Sequence, residues 1–122
     1  KDGQIVAKAH NQPISKNDAT AHAEIQLLRV AGKKLENYRL TETSIYVTLE
    51  PCAMCLGALV HARVKKIVFG APDFKTGVCG SHSDLSNETF FYHKIKIQGG
   101  ILEKECKSII TNFFLGRRKN RY

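Results

Sequence analysis

The 122 residues predict an α/β sandwich with a partly parallel sheet. Two observations carry that expectation. Apolar residues switch between a two-residue and a 3.6-residue period along the chain, in the order β-α-β-α-β-β-α. The composition is also that of an ordinary globular domain, 43% hydrophobic and 25% charged, and long enough to bury a core without disulfide staples. A single domain over residues 1–122 is therefore expected.

"QIVAKAH" alternates from Ile5 and reads as the first strand. The turn-forming stretch "NQPISKNDAT" follows. Ala21, Ile25, Leu28, Gly32 and Leu35 then recur at three- and four-residue steps, which predicts an amphipathic helix started by Asp18 or Thr20 as cap. "SIYVTL" at 44–49 is β-branched and aromatic, as a buried strand requires. Cys52, Cys55, Leu56, Leu59, Val60 and Arg63 step as a second helix, with Pro51 near its first turn. "KKIVFG" at 65–70 gives a third strand, residues 71–93 a loop, and "HKIKIQGG" a fourth strand. Cys106, Ile109, Ile110, Phe113 and Phe114 mark a last helix. A strand that opens a domain without a partner before it, in a chain that starts on Lys1, leads us to expect further chain upstream.

No apolar run approaches the roughly 18 residues that span a bilayer, and the first ten residues contain no secretory apolar segment. Net charge is +8, and Arg117, Arg118, Lys119 and Arg121 supply half of that excess at one end. Such a cluster favours a polyanionic partner, although a solvated helix end explains the same residues.

The cysteines carry the chemistry. Cys52 and Cys55 share one helical face at an N-terminal turn, where peptide dipoles favour thiolate. A redox dithiol, half of a structural zinc knuckle and a catalytic metal site all use that spacing. "TAHAEIQ" adds His22 and Glu24 at the start of the preceding helix, where residues two apart can both face a pocket. Both helices are expected to begin at the carboxyl edge of the sheet, where open α/β sheets build sites. One imidazole and two thiolates suit Zn²⁺ and leave a fourth position for water, while Glu24 is set to shuttle protons. H-x-E followed by P-C-x-x-C is the general signature of zinc deaminases.

The likeness extends beyond the ligands. "HNQPI", "TAHAEI", "YVTLEPCAMC", "GALVHARV", "IVFGAPDFKTG", "GGILEKEC" and the "FF" and "GRR" near the end resemble the bacterial tRNA-specific adenosine deaminase family. That resemblance implies a three-layer α/β/α cytidine-deaminase-like sandwich with a mixed central sheet, whose N-terminal helix and first strand have no counterpart here. It implies adenosine-to-inosine conversion at the wobble position of a tRNA anticodon, by a cytoplasmic homodimer holding Zn²⁺. It assigns His22, Cys52 and Cys55 as zinc ligands and Glu24 as proton shuttle. Asn11 and Asp73 correspond to substrate contacts, Lys75 and Phe114 to segments that approach the anticodon loop, and Arg117 and Arg118 to its basic tail. Cys79 and Cys106 match no ligand and are expected to be a loop thiol and a core residue.

Three other readings predict different behaviour. A free-base or nucleotide deaminase shares the zinc site and needs no basic tail. A redox dithiol leaves His22 and Glu24 idle. A non-catalytic RNA-binding module with structural zinc binds tRNA without turnover.

Overall fold

The computed structural model describes residues 1–119, with side chains through Gly116. Its elements run α1 (Ala23–Leu35), β1 (Ser44–Leu49), α2 (Ala53–His61), β2 (Lys66–Ala71), β3 (Lys96–Gln98) and α3 (Glu103–Lys119). The strands form one sheet in the order β1-β2-β3. Both pairs are parallel, with Ile45 opposite Ile67 and Ile67 opposite Ile97.

Sequence position decides burial here. β2 is the central strand and is covered on both faces, so Ile67, Val68, Phe69, Gly70 and Ala71 are all buried. A continuous apolar run is what a parallel strand between two layers requires. Phe69 and Gly70 are successive strand residues and point to opposite faces. Phe69 joins Ile45 and Ile67 with Leu56, Leu59 and Val60 of α2 in the main core. Gly70 faces α3, where a methyl group would strike the Cys106 side chain. Hence α2 lies on one face, with α1 packed against it, and α3 lies on the other. These are the three layers expected from the family likeness.

Two fold expectations need correction. The first strand does not form among the described residues: residues 5–10 carry no ladder, and Ile5 is exposed. Alternation is not kept either, since the successive residues Val6 and Ala7 both pack against the core. A strand also needs a neighbour's backbone groups, and none pairs with this segment. Secondly, the sheet is parallel throughout rather than mixed. Among the described residues the one antiparallel contact is an isolated bridge, Cys79 to Asp84, in the loop after β2.

The helix starts differ as well. His22 itself is the N-cap of α1. Asp18 instead accepts from the Thr20 N–H (2.9 Å) and hydroxyl (2.7 Å), closing the preceding turn. A side chain folded onto its own turn in this way is not free to cap the helix.

Candidate active site

β1 runs straight into Glu50, Pro51 and Cys52, so the N-terminus of α2 opens at the carboxyl edge of the sheet. Cys52 is the N-cap of α2 in extended conformation, and Cys55 lies one turn further on. The α1 N-terminus is held beside it by the turn 12–18, where the Gln12 N–H donates to the Ala21 carbonyl at 2.8 Å. Two helix N-termini thus meet, and both dipoles favour negative charge between them.

His22 Nδ1 lies 3.7 Å from Cys52 Sγ and 3.5 Å from Cys55 Sγ. All three ligand atoms fall within 4.8 Å of one another. A tetrahedral zinc with bonds near 2.3 Å to sulfur and 2.05 Å to nitrogen separates S and N by about 3.6 Å. The measured edges match that figure, so the donor set is compatible with zinc in both chemistry and spacing. All four cysteines are free, as the metal reading requires and a formed Cys52–Cys55 disulfide would not allow.

Burial pushes the Cys55 thiol above its ordinary pKa, and the charges of Glu24 and Cys52, with hydrogen bonds to both, push it further. Those causes place Glu24 against the thiols. Cys79 is the loop thiol expected from the sequence, yet it packs into the main core. Its burial, then the charge of Glu50, pushes its pKa up to about 12. That thiol is inert at neutral pH.

Of the remaining candidates, the structure brings Asn11 and Asp73 toward the same edge. Asn11 is exposed and adjoins Gln12, whose amide bonds Ala21 next to His22. Asp73 is half-buried in the loop after β2 and closes a tight turn. Its Oδ1 accepts from the Lys75 and Thr76 amides, both at 3.0 Å, and its Oδ2 from the Thr76 hydroxyl at 2.9 Å. Burial acts to raise its pKa, but the hydrogen bonds from Thr76 and Lys75 outweigh it and hold the carboxyl below the ordinary 3.8. Lys75 is exposed beside this turn. Phe114 lies late in α3, 54% exposed, with its ring 5.7 Å from that of Phe113. The side chains of Arg117 and Arg118 lie outside the described residues.

Sequence reasoning missed Glu50. It is 3% exposed and accepts hydrogen bonds from Asp73, Cys79 and Ser81. The signal was present: a charged residue directly between an apolar strand and P-C-x-x-C is out of place unless donors surround it.

One imidazole and two thiols beside a carboxylate, at a sheet edge, match the site class of the zinc-dependent deaminases. The profile of the MafB19-like deaminase family matches residues 1–118, and the chain belongs to that family, on the branch of the tRNA-specific adenosine deaminases. It is 43% identical over 117 residues to the tRNA-specific adenosine deaminase of Haemophilus influenzae, covering 96% of this chain and 68% of that one. The enzyme of the same description from Bacillus subtilis is 42% identical over 120 residues, covering 98% and 74%. A solved structure from work on A-to-I editing by tRNA:A34 deaminases superposes with a TM-score of 0.86 at 37% identity, covering 88% of this chain and 78% of that chain. The guanine deaminase of Nitrosomonas europaea shares the fold, with a TM-score of 0.72 at 20% identity over 86% of this chain and 63% of that one.

Proposed function

We propose that this chain hydrolyses adenosine to inosine at the wobble position of a tRNA anticodon loop. The observation that supports it most directly is the His22–Cys52–Cys55 group with zinc-like edges and Glu24 against it. The relatives, tRNA-specific adenosine deaminases at 42–43% identity, supply the substrate class.

His22 Nδ1 and the Cys52 and Cys55 sulfurs would hold Zn²⁺. When bound, such an ion acts as a Lewis acid that brings a water's pKa toward neutrality and primes it for attack on a purine carbon. Glu24 would take one proton from the attacking water and deliver it to the adenine ring nitrogen, then take the second from the hydroxyl formed on C6 and deliver it to the departing amino group, which leaves as ammonia. One C–O bond forms at C6 and one C–N bond breaks, so water is consumed and ammonia released. Glu24 suits this role because it sits in the first turn of α1, half-buried, beside the Cys55 thiol. An unpaired loop nucleotide suits the open site because it can be extruded without breaking a base pair.

Asn11 near His22 would hold the flipped nucleoside, and Asp73, with one acceptor position still free on its carboxylate, the RNA backbone. Lys75, Phe114, Arg117 and Arg118 would line the path of the loop, their cations meeting phosphate charge. The 122 residues would act as one domain, as a homodimer in the cytoplasm. Among the described residues no helix is long and apolar enough to cross a membrane.

The test uses the zinc-loaded protein with an anticodon stem-loop carrying wobble adenosine, beside free adenosine, cytidine and guanine. Inosine should form only in the stem-loop, and Glu24→Ala should lower kcat at least about a hundredfold with zinc retained. Turnover of guanine or cytidine in place of the stem-loop would sink the proposal in favour of a free-base deaminase. Stem-loop binding unaffected by Glu24→Ala, with no inosine from the wild type, would point to a non-catalytic RNA module.

A further inference from the structure

Glu50 stands two residues before the ligand Cys52, and every contact of its carboxylate goes to one loop. Oε1 accepts from the Asp73 N–H at 3.2 Å and from the Ser81 hydroxyl. Oε2 accepts from the Cys79 N–H at 2.9 Å and the Ser81 N–H at 3.2 Å. Among the described residues no Lys or Arg is paired with it. Its charge is met by oriented amides instead, which fixes the direction of each contact as a flexible cation would not. The Glu50 N–H also donates to the Ala71 carbonyl at 2.9 Å, so both ends of the loop return to this residue.

The loop is shaped to receive that carboxylate. Gly77 is buried, and a methyl group there would come within 2.5 Å of Glu50 Cδ, 2.6 Å of its Oε2, and strike the Asp73 carbonyl. The Gly77 N–H donates to that same carbonyl at 2.9 Å, closing the turn 73–77. The loop is thus clamped at its base. At its tip the side chains stand in solvent: Phe74 is 70% exposed, and Lys75 beside it is exposed too. A large apolar ring held in water on a pinned turn, next to a cation, is an arrangement that unpaired nucleotides use. A base stacks on the ring while the cation meets phosphate.

We infer that residues 72–81 form an RNA-reading element, in which Phe74 stacks on an unpaired loop base and Glu50 is the positioning residue that aims it from the metal-ligand arm. The inference rests on the proposed tRNA-loop substrate and adds the residue that would read a base beside the target. Glu50 acts through the loop and not on the reacting atoms, so it governs engagement of RNA rather than the bond-breaking step.

The experiment measures Kd for a fluorescent anticodon stem-loop, kcat, KM and zinc content in the full chain. The variants are Phe74→Ala, Phe74→Tyr, Glu50→Gln and the Phe74→Ala/Glu50→Gln double. Phe74→Ala should weaken Kd and raise KM about thirtyfold, the middle of the stacking range, with kcat and zinc unchanged and Phe74→Tyr restoring both. In Glu50→Gln the amide turns N–H groups toward amide donors, so the loop loosens and KM rises similarly. The double variant should then be no worse than Glu50→Gln alone, because a loosened loop no longer aims the ring. Wild-type binding by Phe74→Ala, or fully additive losses in the double, would overturn the inference. If Glu50→Gln does not fold, Gly77→Ala disturbs the same contact from the loop side and must show the same non-additivity. Stem-loop binding that depends on Phe74 without any inosine would defeat the deaminase reading alone. Inosine formation indifferent to Phe74 would defeat the loop reading alone.

Discussion

Helices α2 and α3 both carry several large apolar residues, yet they stand in opposite environments. In α2, Leu56 and Leu59 are fully buried, and Cys55 with them. In α3, Ile109 is 61% exposed, and Phe113, Phe114 and Leu115 are also largely open. The difference follows from what each helix packs against. α2 packs against α1 and shares the main core with α1 and the inner face of the sheet, so its residues are covered. α3 meets the sheet mainly where Cys106 sits on Gly70, and β1 leaves Tyr46 exposed on that outer face. The helix that carries Cys55 is therefore embedded in the main core. That rigidity is what a three-ligand site needs, since the sulfur and nitrogen positions must hold to fractions of an ångström.

The contrast can be broken by substitution. Leu59→Ala removes a fully buried side chain behind the ligands and should cost about 3–4 kcal/mol in denaturant unfolding, with loss of zinc occupancy in parallel. A cost below about 1 kcal/mol would mean that the inner layer is loosely packed. Gly70→Ala forces a methyl into Cys106 and should cost about 1–3 kcal/mol while leaving zinc content intact, because it displaces α3 and not α2. Loss of zinc in that variant would show the two layers to be coupled. Ile109→Ser should change stability by no more than about 0.5 kcal/mol. A cost near that of Leu59→Ala would reveal that the α3 stripe is covered in solution.

The expected and observed elements agree best where the apolar pattern is unambiguous. β1 at Ser44–Leu49 coincides with the "SIYVTL" stretch, and α2 and β2 fall within a residue or two of their expected bounds. The stretch from Ile5 failed because alternation cannot say whether a neighbouring backbone exists to pair with it. Asp18 failed as a cap because a short acceptor closes its own turn as readily as it caps a helix. Asp73 follows the same rule: its carboxylate is engaged by Lys75 and Thr76, which the spacing D-F-K-T allowed but did not require.

By itself the sequence determined the donor types: one imidazole, two thiols a helical turn apart, and a carboxylate two residues from the imidazole. Those identities, with a family likeness over most of the chain, were enough to specify the class of reaction and to propose the metal. Only the tertiary structure decided that His22 Nδ1 stands 3.5 and 3.7 Å from the two sulfurs, because residues 30 and 33 positions apart meet through packing and not through any local period. It also decided the role of Glu50, whose donors lie 23 to 31 residues downstream. Hydrogen bonds that close over such distances leave no trace in periodicity, and the charge between strand and P-C-x-x-C acquires its meaning only when the loop folds back onto it.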